Sequence, residues 1–135
     1  MNGLIPRIRR FHRGEDGVVT VETVLWIPMF FFVFGLVVDV AMLFHGQAKV
    51  LMVTQNGNRE FSIGNITMAG AETFIETEMA AQSIQVTATT AEIAGLARTV
   101  VSIPATELQV LGYFNVFPGL NLTVTAEHTI ENWEV

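Results

Sequence analysis

The sequence contains no cysteine. That excludes a disulfide framework and any cysteine-based zinc or iron–sulfur site. Charge is sparse as well: Asp, Glu, Lys and Arg make up 15% of the 135 residues, with 7 bases against 13 acids. A nucleic-acid-binding face needs clustered Lys and Arg, which this balance does not supply. Serine is scarce too. Ser62, Ser83 and Ser102 all stand outside a G-x-S-x-G context,. His128 with Glu127 and Glu131 would project from alternate faces of one strand, so no metal site is expected there. The pattern points to no catalytic residue, no cofactor and no small-molecule substrate, and so to a protein that is not an enzyme.

What the chain has in abundance is apolar side chains. Half of it is hydrophobic and its mean hydropathy is +0.45. That excludes a disordered acidic tail. The length suits one domain, or one anchor and a small domain. The distribution is uneven. Four of the bases are Arg7, Arg9, Arg10 and Arg13, whereas beyond Asp39 there are nine Glu and no Asp. Between these ends, residues 18–44 form an apolar run whose only charges are Glu22 and Asp39.

A helix of that length is about 40 Å long at ~1.5 Å per residue, more than the ~20 residues that cross a bilayer core. As a buried core helix, the run would need more covering surface than the rest of the chain supplies. A cleaved secretory signal has an apolar region of about 7–15 residues and a small-x-small site. Here the run is longer, and His45, Gly46 and Gln47 follow it. A retained transmembrane helix is the reading that fits. Positive flanks stay in the cytoplasm, so residues 45–135 are expected outside the inner membrane as a small extracytoplasmic domain.

The two charges in the run need reasons. A carboxylate at mid-membrane costs about 2.5–3.5 kcal/mol on insertion scales. Asp39, near the outer end, is expected at the interface at little cost. Glu22 has a more informative setting: a basic leader ends at Gly17, and Glu22 is the fifth residue after it. This arrangement resembles a prepilin processing site. The resemblance implies cleavage by a prepilin peptidase after Gly17, leaving a 17-residue leader behind and Val18 as the new N-terminus. Val18 and Glu22 are i and i+4 on one helix face. The new amine can offset the Glu22 carboxylate, or pair with that of a neighbouring helix and set register.

Pro28, Gly35 and Asp39 follow Glu22 in the order G-x4-E-x5-P-x6-G-x3-acid. That order resembles the TadE-like proteins, pilin-like components of the tight-adherence (Flp) pilus machinery. The resemblance covers residues 7 to 64 well, and extends loosely to the alternating segment 119–126. The family's usual aromatic after the glutamate is replaced by Thr23, and the D-x-S-x-S motif of its long members is absent. Membrane helices tolerate Pro28 and Gly35, although Pro28 removes one helical hydrogen bond and is a point for a kink. Phe30, Phe31, Phe32 and Phe34 read as lipid-facing bulk, and Trp26 as a packing contact.

Beyond the membrane the helix is expected to continue to about Glu60, with Phe44, Ala48, Leu51 and Gln55 along one stripe. Glycines at 57, 64 and 70 mark loops, and residues 71–81 read as a short helix. Alternation from Ile84 to Thr89 reads as a strand. Residues 89–103 fit either a helical stripe or a hairpin turning near Glu92 to Gly95, and the resemblance favours the hairpin. Pro118-Gly119 precedes the clearest strand, Leu120 to Ala126. The expected fold is therefore α+β and pilin-like: a long N-terminal helix, a short helix and a small antiparallel sheet.

The functional expectation is a minor pseudopilin that assembles by helix–helix association, with Glu22, Pro28, Gly35 and Asp39 as packing and register positions. The partners implied are the bilayer, a prepilin peptidase, other pilin-like subunits and the pilus assembly platform. The alternative is a single-pass receptor or sensor with a small ligand-binding outer domain. With the leader removed, side-chain charge falls from −6 to −8, from 3 bases and 11 acids.

Overall fold

The computed structural model describes residues 16–131, with side chains from Val19 onward. The basic leader residues 1–15 lie outside the described residues. Helix α1 runs Asp16–Ser62, α2 runs Met68–Ala81, and three strands follow: β1 Thr87–Ile93, β2 Leu96–Pro104 and β3 Asn121–Thr129. Two short 3-10 turns, Ala105–Glu107 and Tyr113–Val116, lie between β2 and β3. The class is α+β, as expected.

By its internal contacts the chain divides into two units, Met1–Leu36 and Val37–Val135. Among its described residues the first unit is helix. Every side chain from Val19 to Phe34 is exposed, including Phe30, Phe31, Phe32 and Phe34. Trp26 meets Phe30 one turn on, with ring centroids 6.3 Å apart, and is still 46% exposed. The Thr23 hydroxyl donates to the Val19 carbonyl at 2.8 Å, a bond made within the helix itself. The helix continues through Pro28, whose missing N–H costs one bond of the ladder,.

In the second unit the remainder of α1 meets the sheet. Its buried positions are Asp39, Leu43, Gly46, Val50, Thr54, Gly57, Asn58 and Ser62. They recur at steps of three, four and seven, which is one helix face. The expected stripe of Phe44, Ala48, Leu51 and Gln55 is exposed instead. The face that packs is rich in glycine and small polar residues because the opposing sheet surface is itself small: Ala97, Thr99 and Ala126 are all buried there.

Helix α2 starts three residues ahead of the expected position because Thr67 caps it, its hydroxyl accepting from the Gly70 N–H at 3.1 Å,. It buries Ala71, Ile75 and Met79. Residues 84–86 lie outside the sheet. The Gln85 N–H is taken by the Glu107 carboxylate at 3.1 Å, while Ile84 and Val86 pack against the core. Their alternation reports burial without strand pairing.

Residues 87–104 form a hairpin, with Ile93 paired to Leu96 across Ala94-Gly95. Both turn residues have positive φ, 54° and 77°, as a type I′ turn requires,. The sheet order is β1-β2-β3, antiparallel throughout. The outer edge of β1 is closed by α2: Glu76 accepts from the Ala88 N–H at 3.0 Å and Glu72 from the Thr90 N–H at 2.6 Å. Carboxylates placed there satisfy the edge and block further strand addition. The core collects Leu43 and Val50 of α1, Ile75 and Met79 of α2, and Val101, Ile103, Leu108 and Val124.

Candidate functional site

Two polar centres hold α1 in the second unit, and the expected packing residues can be placed against them. Asp39 is the first. It is fully buried within the protein. One carboxylate oxygen, Oδ1, accepts from the N–H groups of Val110 at 2.9 Å and Leu111 at 2.7 Å. The other, Oδ2, accepts from the Tyr113 N–H at 3.0 Å. The loop can present three donors to one side chain because Gly112, at φ 87°, turns the backbone around it. Successive N–H groups curled about an anion form a nest. Nearby, Leu108 fills the space above Gly46, where an added Cβ would lie 2.4 Å from Leu108 Cδ2. Gln109 braces the loop from within, its Oε1 accepting from the Phe114 N–H at 2.8 Å.

Asn58 is the second centre. It is fully buried against β2 and β3. Its amide donates to the Ala126 carbonyl at 3.0 Å and, more weakly, to that of Ala97 at 3.4 Å. Its oxygen accepts from the Thr99 hydroxyl, which in turn takes the Thr90 hydroxyl at 2.8 Å. Donors and acceptors are all used, so the network costs nothing in unpaired groups and fixes how α1 meets the sheet. No buried side-chain N or O among the described residues is without a partner.

Neither centre is built for reaction. A carboxylate enclosed by three N–H donors is not free to act as a base or a metal ligand. Ser62 and His128 are 3.1 Å apart, but the Ser62 hydroxyl donates to the Arg59 carbonyl at 2.9 Å. Its oxygen is left to accept from the imidazole, the reverse of the direction a serine nucleophile needs. Among the described residues no group of three His, Asp or Glu could hold a metal ion.

The other expected site residues lie on the first unit's helix. Gly17 and Val18 fall in the first turn of α1, Glu22 is exposed, Pro28 is inside the helix and Gly35 is buried. The structure gathers none of them into a cluster. Asn58, Thr99, Glu72 and Glu76 were not anticipated from the sequence. The signal available for Asn58 was its helical phase with Asp39, Leu43, Val50 and Thr54.

Residues 19–62 form one helix long and apolar enough to cross a membrane. Residues 17–59 match the family model of the TadE-like proteins. The match holds the whole Gly17, Glu22, Pro28, Gly35 and Asp39 pattern and stops short of the sheet, so the looser likeness at 119–126 lies outside it. No curated protein and no solved structure matches the chain. The TadE-like segment fits a protein associated with a tight-adherence pilus system and carrying a membrane anchor.

Proposed function

From that TadE-like segment we propose that the protein is a minor pilin-like subunit of a tight-adherence pilus, acting through association of its N-terminal helix with those of other subunits. It is inserted in the inner membrane with its N-terminus in the cytoplasm and the sheet-bearing part outside. A prepilin peptidase removes residues 1–17 and leaves Val18 at the new N-terminus. The work is structural. No catalysis, cofactor or small-molecule substrate enters, and the partners are other pilin-like subunits and the assembly platform.

The observation that carries this reading is the exposed apolar helix following Gly17, with Glu22 the only charge from Val18 to Leu36. Such a carboxylate is expensive in hydrocarbon unless it is paired. The amine of a processed Val18, on its own or a neighbouring chain, is the partner the spacing supplies. The test is Glu22→Ala. The variant should insert and accumulate normally while pilus output falls. Normal piliation with stable variant protein would contradict the register role.

A further inference from the structure

Residues 108–126 contain no charged side chain and no histidine, in a chain that carries nine Glu beyond residue 39. Among the described residues, the same stretch holds five of the eight exposed large hydrophobic residues that follow residue 60: Val110, Leu111, Val116, Phe117 and Leu120, each between 44% and 76% exposed. An uncharged loop with its apolar side chains turned outward calls for an apolar environment. We propose that this loop lies in the interfacial layer of the bilayer, on the outer side, as a second membrane contact beside the helix. The proposal rests on the membrane-anchored reading given above.

Three observations select lipid as the occupant. The first is arithmetic along the helix. Twenty residues from Val19 reach Val38 and span ~30 Å, the thickness of the hydrocarbon core. With Val19 at the inner boundary the outer one falls at Asp39, and it is Asp39 that binds the loop at Val110, Leu111 and Tyr113. The chain itself delivers the loop to the boundary.

The second is backbone satisfaction. Polar backbone groups entering a membrane must find partners within the protein. Phe114 gives its N–H to Gln109, Asn115 to the Gly112 carbonyl, Phe117 to that of Phe114 and Leu120 to that of Phe117. With the three N–H groups on Asp39, the loop is largely self-contained.

The third is charge. The rest of the exported part is acidic and would be repelled by anionic lipid, whereas this segment presents neither sign,. Tyr113 adds an aromatic of the kind enriched at membrane interfaces.

The absence of cysteine makes the test direct. The full chain, reconstituted in phosphatidylcholine–phosphatidylglycerol vesicles, is labelled with an environment-sensitive fluorophore at Leu111→Cys, Val116→Cys or Phe117→Cys. Phe31→Cys serves as the helix reference and Glu78→Cys as the aqueous one. Nitroxide lipids labelled near the headgroup should quench the three loop sites several-fold more than Glu78→Cys, and iodide should do the opposite. Loop labels as open to iodide as Glu78→Cys would overturn the proposal. Labels shielded from both quenchers would also overturn it, in favour of a protein contact. The Phe31→Cys label, read with lipids carrying the nitroxide on the acyl chain, separates the two readings: if lipid quenches it and the loop labels stay unquenched, only the loop contact fails. If lipid quenches neither, the membrane anchor itself fails.

Discussion

The Asp39 clasp can be weakened one bond at a time. Asp39→Asn keeps the shape of the side chain and one acceptor oxygen. If that oxygen stays with Val110 and Leu111, the new NH2 group faces the Tyr113 N–H, two donors at a distance where the native pair is 3.0 Å. A hydrogen bond to a charged acceptor contributes about 1.5–3 kcal/mol, and a donor left unsatisfied costs a similar amount. The expected loss is about 2–3 kcal/mol of local stability. At ~1.4 kcal/mol per tenfold, that is a rise of roughly 30- to 150-fold in loop opening. Asp39→Ala leaves all three N–H groups without their acceptor and should cost about 4–6 kcal/mol. The assay is amide hydrogen exchange on the full chain in detergent or bicelles, which reports local opening directly. The amides of Val110, Leu111 and Tyr113 should be protected in the native protein, exposed by the stated factor in the Asn variant, and close to unprotected in the Ala variant. Those of Thr99 and Val101 in the central strand should hardly change. Fast exchange of the three loop amides in the native protein, or unchanged protection in Asp39→Ala, would refute the clasp.

Two further substitutions probe the sheet side. Asn58→Leu should lower stability by about 2–4 kcal/mol, since it strands the Thr99 hydroxyl and overfills a site lined by alanines. Adding Thr99→Val should recover part of that loss, because removing both partners is cheaper than removing one. Urea unfolding of the single and double variants checks it, and strict additivity would argue against the network. Ala94→Asn should stabilise the hairpin by about 0.5–1 kcal/mol, since φ 54° is costly for alanine and the first turn position of type I′ favours Asn,. A fall in the urea midpoint would show that the turn is not held in that conformation.

Much of this architecture could be read from the residues, for reasons that differ from element to element. The long helix announces itself by uninterrupted apolarity, and the last strand by clean alternation after Pro118-Gly119. The hairpin at 87–104 was ambiguous because a two-residue turn resets the alternation, so Ile93, Leu96, Ala97, Val100 and Val101 also fall at helical spacing. The Ala94-Gly95 turn decides it, and alanine is an unusual residue for that φ.

The packed face of α1 differs from the apolar stripe for a physical reason. A search for large apolar residues finds Phe44, Ala48 and Leu51, which face outward. The packed face carries Gly46, Thr54, Gly57 and Asn58 because close approach to a sheet of alanines and threonines leaves room for little else. Asp39 was legible as a charge in an apolar run. Its partners lie more than 70 residues further along the chain, and no local pattern indicates them. The edge-closing roles of Glu72 and Glu76 were hidden in the same way, since both look like the solvated face of a short helix.

On the reading proposed above, the chain is a pilin-like precursor cut between Gly17 and Val18. The most direct measurement is the intact mass, with N-terminal sequencing, of protein extracted from the membranes of a bacterium that possesses the prepilin peptidase. The native protein should begin at Val18, and a Gly17→Ala variant should keep its leader. A membrane-extracted native chain that still begins at Met1 or Asn2 would contradict it.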